Sequence, residues 1–254
     1  MGVGSAFSTG IHNALEMGAD IIVTVDADGQ FNPKDIPALI DPILKGDADF
    51  TTASRFLDPD LVPDMPGVKK FGNRLFTELV NYLTKQKFTD TQCGFRAYTK
   101  EAAMRLVLFG KFTYTQEVFL DLAKQNFKIV EVPLKIKGQR EGKSRVVSNI
   151  FSYGIKALII MIRSVRDYKP LRFFGAVSIL FIFLGVLIGL FVLNNWLLTG
   201  QVSPYKSLTT AAAASVIIGL QISVLALLAD MIGRSMKVLR DVLYFAKLEE
   251  YSKK

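Results

Sequence analysis

Histidine and cysteine each occur once in the 254 residues, as His12 and Cys93. The single cysteine excludes an internal disulfide, and the single histidine excludes any metal centre or catalytic cluster assembled from several histidines. Cys93 lies between Gln92 and Gly94 with no histidine near it in sequence, so it reads as a small packing residue rather than a nucleophile. His12 reads as a helix-surface residue. No internal repeat or low-complexity tract is present, and the opening residues lack the basic start and apolar stretch of a signal peptide. Charge is missing over long distances as well, between Phe173 and Tyr205 and again between Leu208 and Ala229. Each of these runs is long enough to cross about 30 Å of hydrocarbon as a helix.

The positive charge collects beside those runs. Lys156, Arg163, Arg166, Lys169 and Arg172 precede the first, and Arg234, Lys237, Arg240 and Lys247 follow the second. The positive-inside rule therefore predicts an integral membrane protein in which residues 169–233 form a two-helix hairpin, with spans of about 173–195 and 208–230. The domain ahead of the hairpin and both termini are expected in the cytoplasm. Residues 194–206, with Asn-Asn, Thr-Gly and Ser-Pro, supply turn chemistry between the spans. Residues 234–254 are expected to form a basic C-terminal helix, with Asp230 and Arg234 as a local ion pair. The net charge of +8 is then assigned to anionic headgroups, and no nucleic-acid partner is expected.

Ahead of the hairpin, helical and strand patterns alternate, the mark of an α/β sheet domain over residues 1–145. Helices are expected over 5–17, 32–44, 68–85, 100–108 and 115–125. Strands are expected over 21–25, 49–55 and 94–98, with a pair at 129–130 and 133–136. Asn32-Pro33 carries the N-cap and first-turn proline that open a helix. Residues 146–168 form an amphipathic helix, with apolar residues at 147, 150, 151, 155, 158, 159, 162 and 165. It either packs on the sheet domain or lies in the headgroup region, and the basic end leading into a spanning helix favours the headgroups.

Asp26-Ala27-Asp28-Gly29-Gln30 directly follows the apolar run 21–25. A run of β-branched residues reads as a buried strand, and two carboxylates at its end project toward the crevice where open α/β sheets bind ligands. Carboxylate oxygens suit Mg²⁺ or Mn²⁺, which complete their coordination with water and phosphate oxygens. The same residues also suit a plain turn. Asp90, in Thr89-Asp90-Thr91, is either a cap or turn carboxylate or a functional one. Glu117 is either an exposed helix residue or a candidate for the same role.

Thr52-Ala53-Ser54-Arg55-Phe56, Gly72-Asn73-Arg74, the stretch Asp90-Thr91-Gln92-Cys93-Gly94-Phe95-Arg96-Ala97-Tyr98, Glu117 and Gly142-Lys143-Ser144-Arg145 follow the acidic pair in that order. With an amphipathic helix and a membrane hairpin behind them, they resemble the polyprenyl-phosphate glycosyltransferases, inverting family 2 enzymes of the dolichyl-phosphate mannose synthase type. The resemblance implies a Rossmann-like GT-A domain lacking its first strand or strands, because the family's opening strand and acidic nucleotide-binding loop have no counterpart before Met1. It implies transfer of a sugar from a nucleotide diphosphate to a dolichyl or undecaprenyl phosphate, with Asp26, Asp28 and Gln30 holding Mg²⁺ or Mn²⁺ against the donor diphosphate. Arg55, Arg74, Arg96, Arg140, Lys143 and Arg145 would bind the acceptor phosphate, since guanidinium forks match phosphate geometry. Asp90 would position the acceptor first and act as base second, since a phosphate monoester has a second pKa near ~6 and needs little deprotonation at neutral pH. The different-class alternative is a non-catalytic homologue or accessory membrane subunit that cannot bind donor alone. Assembly of like copies stays open.

Overall fold

A four-stranded mixed sheet in the order β1-β3-β2-β4 organises the part of the chain ahead of the apolar runs. Its strands are β1 (Ile21–Thr24), β2 (Phe50–Ser54), β3 (Arg96–Thr99) and β4 (Ile129–Pro133). The computed structural model describes residues 3–107, 114–137 and 150–252. β3 runs antiparallel to both β1 and β2, so that Thr24 and Thr52 each face Arg96, and β4 runs parallel to β2. β1, β2 and β4 therefore point the same way. Their C-terminal ends and the N-terminal end of β3 share one sheet edge, the side on which open α/β sheets bind ligands.

Helices α1 (Val3–Glu16), α2 (Ile36–Leu44), α3 (Gly67–Thr84), α4 (Lys100–Arg105) and α5 (Tyr114–Lys124) accompany this sheet. Strand alternation sorts the layers. Thr51 and Ala53 face α2: Thr51 Oγ1 donates to Leu39 O at 2.7 Å, and Ala53 packs with Leu39, Phe95 and Leu134. Phe50, of opposite parity, meets Tyr98 at 4.9 Å and Phe119 of α5 at 5.4 Å between ring centroids, and Phe88 closes on Phe119 at 4.9 Å. Burying a Phe side chain stabilises by about 1.5–3 kcal/mol, so this ring cluster is a main anchor of the domain.

Most expected elements form within a few residues of their expected limits, and several differ. The two strands expected at 129–136 are one strand, because residues 129–133 pair continuously with β2. β1 is only half-buried; among the described residues it pairs with β3 alone. The helix expected over 100–108 ends at Arg105. The turn expected from Asn194 is confined to residues past Thr199, because the helix runs on until Gly200 adopts φ 70° and Asn195 Nδ2 caps Gln201 O at 3.0 Å.

Helix α6 (Ile150–Tyr168) precedes α7 (Pro170–Thr199) and α8 (Lys206–Ser252). Contacts divide the chain into two units, Met1–Met161 with Leu239–Lys254, and Ile162–Val238. In the second unit, α7 and α8 are each long and apolar enough to cross a membrane, with window hydropathies of 3.0 and 2.3. Small residues let these helices meet closely. Ser178 Oγ donates to Gly219 O at 2.7 Å, and a Cβ on Gly219 would lie 2.5 Å from Ile182 Cγ1 and 3.0 Å from Ser178 O. Gly219→Val is therefore expected to force the helices apart at a cost of about 1–3 kcal/mol. The check is the thermal midpoint of the detergent-solubilised protein, with Gly233→Val, where a Cβ meets nothing within 4 Å, as the silent control.

The expected separate helix over 234–254 is instead the end of α8. Within the first unit this end is fastened to α1, α4 and α5: Arg240 pairs with buried Asp121, Arg105 Nη1 meets Asp241 at 3.1 Å, and Lys247 Nζ donates to Met104 O at 2.9 Å. The Arg105 guanidinium also lies 3.9 Å from the Tyr244 ring centroid. His12 is exposed on α1 as expected, but it hydrogen-bonds the Tyr251 hydroxyl.

Candidate active site

The shared sheet edge collects the expected residues. Just past β1, Asp26 is exposed and Asp28 half-buried, in a turn that Gly29 allows by its φ of 73°. Asp28 Oδ1 accepts the Gln30 N–H at 3.2 Å. Across the edge, Thr24 Oγ1 donates to Gly94 O at 3.3 Å, and a Cβ on Gly94 would run into the Asp26 carboxylate. Only glycine lets the two segments approach this closely. Gln30 is tied to the chain after β4: Nε2 donates to Lys137 O at 2.9 Å, and Gln30 O accepts the Lys137 N–H at 3.1 Å. Its amide nitrogen is thus spent on the fold, and among the described residues its side-chain oxygen makes no hydrogen bond.

This donor set fits a hard divalent ion held jointly with a ligand. Two hard carboxylates two positions apart in one turn suit Mg²⁺ or Mn²⁺, which bind through one or two carboxylates plus phosphate oxygens. Among the described residues no group of three or more His, Cys, Asp or Glu side chains gathers to make a closed protein cage.

Past β2, Arg55 is locked onto Asp90. Arg55 Nε donates to Asp90 Oδ2 at 2.6 Å and Nη2 to Oδ1 at 2.9 Å, a two-toothed pair. Asp90 is fully buried and also accepts from Asn73 Nδ2 at 3.0 Å, Gln92 N at 3.1 Å and Arg55 N at 3.3 Å. An ionised carboxylate has about four lone-pair sites, so these donors saturate it. Asp90 thus acts as the holder of Arg55. Burial works to lower the Arg55 pKa, but the Asp90 hydrogen bond and charge outweigh it, so the guanidinium stays charged. The Nη1 edge is left outside the Asp90 pair.

The peptide carrying Asp90 is held in turn by Glu131 of β4. Its carboxylate accepts Thr89 N at 2.8 Å, Thr89 Oγ1 at 3.0 Å and Asp90 N at 2.8 Å. Burial pushes the Glu131 carboxyl above the usual range, against the pull of these N–H groups. Glu131→Gln is expected to cost about 1–2 kcal/mol, since one amide end then faces donors it cannot accept. A raised folded pKa contributes stability that is full below the ordinary glutamate pKa and is lost as pH rises through the folded value, and the amide carries no such dependence. The gap in thermal midpoint between wild type and variant should therefore narrow from acid to neutral pH; a gap that widens would contradict the assignment.

The other expected residues are placed as follows. Arg74 is exposed on α3, next to Asn73. Glu117 is half-buried in the first turn of α5. Arg96 is a correction to the expected phosphate site: it is fully buried, its Nε donates to Cys93 O at 2.7 Å and its Nη2 to Thr91 O at 3.1 Å, and its guanidinium lies by the Phe50 and Phe119 rings. A side chain enclosed on that scale holds the Asp90 loop from beneath and presents nothing to a ligand. Arg140, Lys143 and Arg145 lie outside the described residues. Cys93 is a packing residue as expected, its thiol pushed up to about 12 by burial. Glu131 was not anticipated; its signal was a lone carboxylate inside the apolar strand Ile129-Val130-Glu131-Val132.

Comparison with known proteins bears on the same region. The family model described as glycosyl transferase family 2 matches residues 1–107. A UDP-N-acetylglucosamine–dolichyl-phosphate N-acetylglucosaminyltransferase of Methanococcus voltae is 36% identical over 165 residues, covering 64% of this chain and 66% of that protein. An uncharacterised protein of Methanocaldococcus jannaschii is 34% identical over 164 residues, covering 63% of this chain and 67% of its own length. An undecaprenyl-phosphate mannosyltransferase of Micrococcus luteus is 25% identical over 153 residues, 59% of this chain and 62% of that one. The chain thus spans about two thirds, or slightly less, of these three relatives.

Proposed function

Because the chain belongs to glycosyl transferase family 2 and is a glycosyltransferase, we propose that it moves a sugar from a nucleotide diphosphate to the phosphate of a membrane polyprenol, dolichyl or undecaprenyl, with inversion at the anomeric carbon. The observation that carries this reading is the shared sheet edge, where the Asp26 and Asp28 carboxylates stand with an Arg55 guanidinium fixed by Asp90. An anionic pair suits the metal-borne donor, and a locked cation suits the acceptor phosphate.

A bound Mg²⁺ or Mn²⁺, held by Asp26, Asp28 and the Gln30 oxygen, would neutralise charge on the leaving diphosphate. The chain's own residues do the rest. Arg55, aided by Arg74 and by cations of the 140–145 stretch, draws in the acceptor phosphate and aims one oxygen at the anomeric carbon. That oxygen forms the new bond as the bond to the diphosphate breaks. No strong base is needed, because the phosphate is largely dianionic at neutral pH, and the saturated Asp90 serves positioning. Glu117 is the remaining candidate if a proton must be taken. The hairpin α7–α8 crosses the bilayer with both chain ends in the cytoplasm, as the flanking cations favour. Helix α6, with Leu158, Ile159 and Ile162 exposed, lies in the headgroup region.

The test is purified protein in detergent with Mn²⁺ or Mg²⁺, a panel of nucleotide sugars and a short polyprenyl phosphate. Lipid-linked sugar should form with one donor and require both metal and lipid phosphate. Product on a soluble acceptor instead, or no donor binding at all, would overturn the reading.

A further inference from the structure

Helix α3 buries two polar side chains one turn apart, Asn73 and Thr77, on a face otherwise made of Phe76, Val80 and Leu83. Apolar residues would pack there without needing partners. A threonine inside a helix often turns its hydroxyl to the carbonyl four residues back, and Thr84 of α3 does so, donating to Val80 O at 2.7 Å. Thr77 departs from this habit. Its hydroxyl donates to the side-chain oxygen of Asn73 at 3.1 Å and accepts the Thr91 N–H at 3.3 Å, with Thr91 Oγ1 a further 3.1 Å contact.

The direction of each proton follows from what the partners can do. Asn73 Oδ1 can only accept, so the one proton of the Thr77 hydroxyl is committed to it, and the Thr91 hydroxyl has to be the donor toward Thr77. With its oxygen held in this way, the Asn73 amide presents Nδ2 to Asp90, 3.0 Å from Oδ1. The two ends of a primary amide have nearly the same shape, so packing alone does not choose between them. Turned over, Asn73 would set its oxygen against Asp90 Oδ1, which also accepts Arg55 Nη2 and Gln92 N. Two buried acceptors at that separation repel, and the carboxylate that aims Arg55 would shift.

We infer that Thr77 is a positioning residue for the acceptor phosphate: through the relay Thr91–Thr77–Asn73 it fixes which end of the Asn73 amide meets Asp90, and with it the aim of Arg55. The inference rests on the reading that Arg55 binds the lipid phosphate. The hydrogen bonds of this relay end on Asp90, whereas the Asp26–Asp28 turn is held separately, through Gln30 and the close approach of Gly94. A defect in the relay is therefore felt by the acceptor and not by the donor.

Steady-state transfer with varied short polyprenyl phosphate tests this. Thr77→Val removes the hydroxyl while keeping the shape of the side chain, and should raise the acceptor KM about fivefold to tenfold, the worth of one hydrogen bond. kcat and the donor KM should stay within about twofold of wild type. Thr77→Ser should restore the acceptor KM. In Asn73→Ala, which has no amide to orient, adding Thr77→Val should change the acceptor KM no further. Thr51→Val is the structural control: it loses a buried hydroxyl that donates to Leu39 O at 2.7 Å, and should lower the thermal midpoint with the acceptor KM unchanged. An unchanged acceptor KM in Thr77→Val, a failure of Thr77→Ser to restore it, or an equal rise in the Asn73→Ala background would overturn the assignment. If the wild type makes no lipid-linked sugar, the acceptor reading itself falls, and thermal midpoints still judge the relay: Thr77→Val should cost less in Asn73→Ala than in wild type, and equal losses would overturn it.

Discussion

Asp90→Asn is expected to lower sugar transfer by about a hundredfold or more and to destabilise the domain at the same time. Asparagine keeps the shape but turns one acceptor into a donor, which must face either Arg55 or Asn73. The guanidinium then loses its counter-charge. Breaking a buried pair by removing one partner costs about 3–5 kcal/mol, and the lower end applies because Arg55 is 19% exposed and water relieves part of the penalty. The rate loss follows from a freed Arg55, since removing one fixed electrostatic donor typically costs 10²–10³ in turnover. A second substitution separates the effects. Arg55→Met with Asp90→Asn leaves no unpaired charge, so unfolding should recover part of the lost stability while transfer stays low. Full transfer by Asp90→Asn alone would show that the pair is only structural.

Asp28→Ala is expected to cost about a thousandfold in transfer with a stability change near ~0.5 kcal/mol, since it removes one half-buried carboxylate and one turn hydrogen bond. Metal titration of nucleotide-sugar binding should shift in parallel. Gly94→Ala offers an independent route to the same phenotype, because its Cβ displaces the Asp26 carboxylate without altering any ionisable group. Full transfer by Gly94→Ala would mean that Asp26 does not need its present position.

These two results would probe parts of the site that differed in legibility. The acidic pair could be read from sequence because strand, turn and carboxylates are contiguous. Arg55 and Asp90 were each legible as residues, but their union was not: they are 35 positions apart, and a pattern along the chain carries no information on which distant side chain answers which. Glu131 was hidden for the same reason, its partners lying 41 and 42 positions away. Arg96 misled because its residue type suits phosphate, whereas strand parity and the rings of Phe50 and Phe119 turn it inward. Helix past Asp230 was legible, but its continuity with the second span was not, since the loss of hydrophobicity there marks a change of surroundings and not the end of a helix.

The loop bearing Asp90 rests on two struts of different chemistry. From below, Arg96 grips the carbonyls of Thr91 and Cys93 with two edges of its guanidinium fork. From the side, Glu131 grips the amides of Thr89 and Asp90 with a charge that protonates at milder acidity than an ordinary glutamate. The turn at Thr91–Cys93 is therefore held by an arginine, whereas the hold on Thr89–Asp90, and with it the aim of Arg55, answers to the protonation of a carboxyl one strand away.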